Sequence, residues 1–146
     1  VVGRWPLVPL IGHRRLRERS WLFRDGYLDM ENLEHAAVCE IYHRSTVALN
    51  IHQVETVSGF NMRVFEAAGA GSAQVVERLP GLGELLREGD EVACYGDADE
   101  LVARVRHLLA HPAEARALGR RAAAAAIERH TYRHRVRAIL GALDLA

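Results

Sequence analysis

The chain has 146 residues, enough for one domain that buries about 70% of its unfolded surface, and too few for two ordinary ones. Acidic and basic side chains balance at nineteen each, which argues against a dedicated nucleic-acid or membrane-surface module with its basic excess. Every Lys-or-Arg position is Arg, and alanines run unbroken from Ala122 to Ala126. That bias weakens any single Arg as a sign of bidentate chemistry. Cys39 and Cys94 make no disulfide framework, and no apolar run reaches the ~18 residues of a membrane span. The opening Val1-Val2-Gly3-Arg4-Trp5 lacks the charged start and long apolar stretch of a signal peptide. A reduced, cytoplasmic setting is the expectation. With no initiator Met and a first segment that reads as mid-strand, the chain is expected to be a piece of a longer protein.

Short β-rich runs alternate with amphipathic helices. Val1-Val2 begins a strand ended by Gly3, Pro6 and Pro9, and residues 11–22 fit a short helix or a long loop equally well. Residues 23–28 read as a strand and its exit loop. Asp29 caps a helix to about Arg44, with Met30, Leu33, Ala37 and Ile41 as its buried stripe. Residues 46–51 form the clearest strand, apolar on both faces as in a parallel sheet. A polar loop from His52 to Gly59 leads to a helix from about Asn61 to Ala70, ended near Gly71. Residues 73–77 and 91–95 are the next strands, with a short helix from Leu82 to Arg87 between them.

Asp97 and Glu100 match a capping box, and the helix they open carries Leu101, Val105, Leu108 and Leu109 on one face. Pro112 restarts the chain as a new helix, and Thr131 caps a last one buried through Val136, Ile139, Leu140 and Leu143. The order is that of an α/β fold, a Rossmann-like parallel sheet flanked by helices.

Ligands of such sheets bind at the carboxyl ends of the strands. That rule selects the segment from Leu49 to Glu66, in which a strand enters a loop, the loop ends in Gly59, and a helix begins beside Asn61. Gly59 permits positive φ and close backbone approach, and helix-start N–H groups attract an anion. Arg63 is placed to grip phosphate oxygens, and Glu66 to hold a ribose diol. The plainer alternative is a common loop glycine with an Arg63–Glu66 surface pair worth well under ~1 kcal/mol. His52, at the strand end, is placed to contact a sugar or phosphate, against the plainer reading of an exposed loop histidine.

The run Asn50-Ile-His52, then Ser58-Gly-Phe-Asn-Met-Arg-Val-Phe-Glu-Ala-Ala-Gly-Ala-Gly71, resembles the C-terminal domain of group 1 glycosyltransferases, in particular the branch of CgeB-type spore-maturation proteins. The resemblance continues through 85–95, Asp99-Glu-Leu101, His111-Pro112 and 130–135, and covers residues 29–146 well and 1–28 loosely. It implies the donor-binding half of a GT-B enzyme, a single domain over 1–146 truncated at its N-terminus. An N-terminal domain of the same chain would hold the acceptor, whose identity is open.

Carried over, Glu66 is the second acid of the Glu-x7-Glu motif and binds the nucleotide ribose. Gly59, Phe60 and Asn61 line the diphosphate, with Arg63 as a supplementary phosphate contact. Tyr27 and Leu28, after Gly26, match the loop that touches the base, and Gly3 and Arg4 the glycine-bearing loop after the first strand. Ser58 stands where the first acid is expected, so no catalytic residue is assigned.

The implied activity is hexosyl transfer from a nucleoside-diphosphate sugar, with retention and without a metal or cofactor, the nucleotide-sugar being substrate. The piece alone is expected to bind nucleotide without transferring sugar. The alternative is a non-catalytic glycosyltransferase-like binding or interaction module.

Three tempting patterns have plainer readings. His35, Cys39 and His43 have helical spacing, but positions eight apart are about 12 Å from each other, too far to share one ion. A solvated or interface face is expected for that row. Asp97-Ala-Asp99 has the spacing of a metal motif but fits the helix cap better. Arg133, Arg135 and Arg137 read as a solvated face rather than a nucleic-acid site.

Overall fold

A computed structural model describes residues 33–52 and 59–143. The chain divides into two compact units, Val1–Glu34 and His35–Ala146, and the helices and strands of the described residues lie in the second. They are α1 (His35–Arg44), β1 (Ala48–Asn50), α2 (Arg63–Gly69), β2 (Gln74–Glu77), α3 (Leu82–Leu85), β3 (Ala93–Tyr95), α4 (Ala98–Ala110), α5 (Pro112–Arg129) and α6 (Tyr132–Ala142). Among the described residues the sheet has the order β1-β2-β3, and both pairings are parallel. Val75 stands opposite Leu49 on one side and Ala93 on the other. The architecture is the expected α/β one.

Two cores follow from the period-2 alternation of β2. Val76 and Cys94 point to the side of α2 and α3, against Val64, Leu82, Leu86 and Val92. Val75 and Tyr95 point the other way, against Leu108 of α4 and Ala115 and Leu118 of α5. Helix α5 serves both layers, because its later residue Ala125 belongs to the first core. It crosses from one to the other at Gly119, where an added Cβ would lie only 2.1 Å from the Gly71 carbonyl oxygen. Gly71 precedes β2, so the crossing runs at the amino edge of the sheet. Beyond it Ala122 and Ala126 pack on Ala68 of α2, so part of the alanine run is there for close approach.

Local signals fix several termini. Asp97 Oδ1 accepts the Glu100 N–H at 2.8 Å, as a helix cap should. Glu100 Oε2 reaches one residue further back than a standard box, to the Gly96 N–H at 2.8 Å. Arg78, just after β2, bridges Glu88 at 2.7 Å and Glu100 at 3.0 Å. The Arg78 guanidinium, with the Gly96 N–H, holds the Glu100 carboxyl down at about 2. Glu91, 1% exposed, accepts from the Arg87 N–H at 2.9 Å and from Arg129 at 2.8 Å, tying the approach to β3 to the end of α5.

Three expected faces differ. Leu33 and Ile41 are 41% and 52% exposed, and the half-buried residues of α1 are Ala37, Val38, Cys39 and Tyr42. His43 Nδ1 lies 3.1 Å from the Ala70 carbonyl at the end of α2, an exposed polar contact between the two helices. On α6, Val136, Ile139, Leu140 and Leu143 are exposed, while Arg135 lies over the Phe65 ring. β1 alternates instead of being apolar on both faces: Ala48 and Asn50 are buried, Leu49 and Ile51 about half exposed. Leu49 shares its face with Val75, and α4 packs chiefly over β2 and β3. On α4, Leu101, Val105 and Leu108 turn inward as expected, but Leu109 is 56% exposed.

The Gly119 crossing gives a direct test. Gly119→Ala is expected to lower stability by roughly 1–3 kcal/mol or more, since backbone must move to admit the methyl. Gly141→Ala in α6, where an added Cβ meets nothing within 4 Å, is expected to be neutral or slightly stabilising. Urea unfolding of the two variants side by side checks the contrast.

Candidate functional site

β1 ends at Asn50 on the carboxyl edge, and the chain returns at Gly59 to enter α2. Gly59 adopts φ 88°, the left-handed region that only glycine enters at no steric cost. The two ends of the intervening segment are latched together. Asn50 Nδ2 donates to Asn61 Oδ1 at 3.0 Å, and Asn61 Nδ2 donates back to Asn50 Oδ1 at 2.9 Å. Asn50 is only 5% exposed, so this reciprocal pair satisfies a buried amide. The Tyr95 hydroxyl, from the end of β3, donates to the Asn50 carbonyl at 3.4 Å.

His52 is 7% exposed, not the exposed loop residue of the plainer reading. Its ring meets Phe60 edge-on, with centroids 5.9 Å apart. Nδ1 lies 3.9 Å from Glu77 Oε2, beyond hydrogen-bond reach, and neither ring nitrogen has a hydrogen-bond partner among the described residues. Burial lowers its pKa below 6.5, partly opposed by Glu77 and reinforced by Arg63. The imidazole is therefore held neutral, with one donor nitrogen and one acceptor nitrogen both unspent.

Phe60 sends its side chain into the core beside α2, and Asn61 spends its amide on Asn50. Their backbone remains at the edge. Arg63 and Glu66 lie one turn apart on α2, and both act on Tyr42 of α1. Burial raises the Tyr42 pKa, Glu66 raises it further and Arg63 opposes the rise. Glu66 lines a groove of about 700 Å3 with His35 and Cys39 of α1, Phe65, and Tyr132 and Arg135 of α6. Thus Gly59, Phe60, Asn61 and His52 gather at the sheet edge, while Glu66 sits on the flank of α2 toward α1. Ser58, Tyr27, Leu28, Gly3 and Arg4 lie outside the described residues.

Sequence reasoning passed over Glu77 and Tyr95. Each is the last residue of its strand, so the carboxyl-edge rule could have found both. Asp97 functions as the cap, as its spacing suggested. Among the described residues no helix is long and apolar enough to cross a membrane.

Two variants probe this edge. Asn61→Ala strands the buried Asn50 amide and is expected to cost about 1–3 kcal/mol in urea unfolding. For His52, a folded pKa below 6.5 means that the unfolded chain binds the proton more readily. Its contribution to stability is complete above pH 6.5 and declines as the pH falls through the lowered folded value. His52→Gln is expected to flatten that part of the stability–pH curve, and NMR titration of the imidazole to give a midpoint below 6.5.

Residues 5–141 match the family model described as glycosyl transferase-like. No curated protein and no solved structure matched the chain. The match spans nearly the whole length, and the edge that holds Asn50 and Gly59 is the one where open parallel sheets bind ligands. The chain belongs to the glycosyl transferase-like family.

Proposed function

We propose that this chain is the donor-binding part of a glycosyltransferase of the CgeB-type branch with a GT-B arrangement, and that the carboxyl edge receives a nucleoside-diphosphate sugar. The observation that carries this reading is His52, a neutral, buried imidazole with two unpartnered nitrogens among the described residues. A sugar hydroxyl is donor and acceptor at once, which is the complement of such a ring. Gly59 lets the backbone come close to a diphosphate, and Arg63 supplies a positive charge that the departing diphosphate needs. Glu66 takes the ribose hydroxyls from the flank of α2.

Ser58 contributes a hydroxyl where the resemblance expects a carboxylate. It offers a hydrogen bond without charge, and this favours a second reading in which the domain binds nucleotide but has lost transfer. On the first reading the chemistry is mostly positioning and diphosphate stabilisation, with side chains and backbone doing what a metal does elsewhere. A separate N-terminal domain brings the acceptor, and retention of configuration and a cytoplasmic setting follow from the family resemblance. Residues 1–146 then bind donor and do not transfer it.

Calorimetric titration with UDP, GDP and dTDP tests the reading. One nucleotide is expected to saturate the chain. Arg63→Ala and Glu66→Ala should each weaken it by about tenfold or more, the worth of a charge-assisted hydrogen bond. His52→Gln should weaken the nucleotide-sugar more than the bare nucleotide. Failure of all three nucleotides to bind, for this chain and for a longer one carrying an N-terminal domain, overturns donor binding. Binding without donor hydrolysis or transfer by the longer chain selects the second reading.

A further inference from the structure

Helices α4 and α5 meet at a joint set by Pro112. His111 closes α4 and also precedes α5, at φ −122° and ψ 67°, and Pro112 opens α5 where a missing N–H costs nothing. The joint folds the first turn of α5 back on the last turn of α4. Glu114 Oε2 comes to 2.9 Å from His107 Nε2. The four-residue spacing stacks His111 on His107, with ring centroids 4.4 Å apart and 28° between the planes. One nitrogen from each ring and a Glu114 oxygen lie within 4.8 Å of one another.

The hydrogen-bond pattern also fixes the tautomer of His111. Its Nδ1 is 2.8 Å from the His107 carbonyl oxygen, which only accepts, so Nδ1 carries the hydrogen and Nε2 keeps the lone pair. A carbonyl behind an imidazole is how metal sites orient their histidines. His107 points Nε2 at a carboxylate, so the position between them holds either a proton or a cation.

We propose that His107, His111 and Glu114 form a zinc site that staples the α4–α5 joint. Two imidazoles and a carboxylate suit zinc, whereas magnesium and calcium prefer all-oxygen shells. Zinc bonds of 2.0–2.2 Å place tetrahedral ligands about 3.3 Å apart, a spacing these exposed side chains reach by small rotations. On binding, the ion displaces the proton shared by His107 and Glu114, which leaves to solvent. Without zinc, His107 and Glu114 are an exposed surface pair that adds little to stability.

The site is remote from the candidate donor edge and independent of the reading given for it. α4 starts at the carboxyl edge after β3, and its 13 residues at 1.5 Å each carry the chain about 20 Å to the other end of the sheet. Three protein ligands leave the fourth position to water, and the ion would tie α4 to α5.

Titration of the whole chain with zinc against a colorimetric chelator is the test, with cobalt absorption as a second reading of the ligand set. The expected result is one zinc per chain, a raised thermal midpoint, and no response to magnesium or calcium. His111→Ala and Glu114→Gln should each weaken zinc by about tenfold or more and abolish the thermal shift. Both change exposed side chains, so their unfolding without zinc should match the parent. Cys39→Ser, which removes the thiol 3.6 Å from His35, should bind as the parent does. Binding weaker than about 100 µM with no thermal shift marks an adventitious ion only and overturns the proposal. So does tight binding that survives His107→Ala with His111→Ala.

Discussion

The described fold depends on one close approach, the passage of α5 under the sheet at Gly119. Ala115 and Leu118 precede that point and serve the core beneath Val75, while Ala125 follows it and serves the core around Val76. A single straight helix can cover both faces only by passing an edge of the sheet, and there its backbone must nearly touch the loop at Gly71. Glycine at the contact, then alanine at 122, 125 and 126, keeps the helix close enough for both cores to stay dry. The energetic logic is that of dense packing: a gap of a methyl's width forfeits dispersion along the whole seam. Part of what looks like compositional bias in this chain is therefore geometry.

The two edges of the sheet are built differently. At the amino edge Gly119, Gly71 and Ala73 are packed tightly, beside the buried polar side chains of Ser72 and Gln74. At the carboxyl edge almost every polar group has been given a partner: Asn50 with Asn61, Tyr95 with the Asn50 carbonyl, Arg78 with Glu88 and Glu100. Those pairings hold the strand ends and the return at Gly59 in fixed relation. Among the described residues His52 is the buried side chain without a partner at this edge, as Ser72 Oγ and Gln74 Oε1 are at the other, and such an atom costs about 1–3 kcal/mol. Unsatisfied groups retained amid a satisfied network are where ligand contacts are to be sought.

Much of this was legible in the residues. β2, the Asp97 cap, the Pro112 start and the turn at Gly59 all rest on signals within a few positions, and local chemistry decided them. The faces of α1 and α6 were not legible for a different reason. Period 3.6 shows that Leu33 and Ile41, or Val136 and Ile139, share a side. It does not show whether any element lies against that side. Leu49 is the strand version of the same problem, because coverage depends on how far α4 extends across the sheet. Among site residues, Asn50 and Asn61 were both in view, but their pairing is a contact across eleven positions that no periodicity encodes. His107 and Glu114 escaped notice because they face each other across a helix break.

Ser58 sharpens the question of how a donor would be held. With a hydroxyl in place of the first acid, the residues assigned to the donor carry only one carboxylate, Glu66, and Arg63 is its charged counterpart one turn away. On the proposed reading the two divide the nucleotide between them, ribose to the acid and diphosphate to the guanidinium. The sugar is then left to neutral groups. The neutral His52 fits that division, because a charged imidazole would have only donors to offer, whereas the neutral ring matches a hydroxyl in both directions. Burial, with Arg63 beside it, favours the neutral ring, and the price is the stability that a partnered side chain would have contributed. On that reading, a ligand that partners the imidazole recovers on binding the cost of its buried nitrogens.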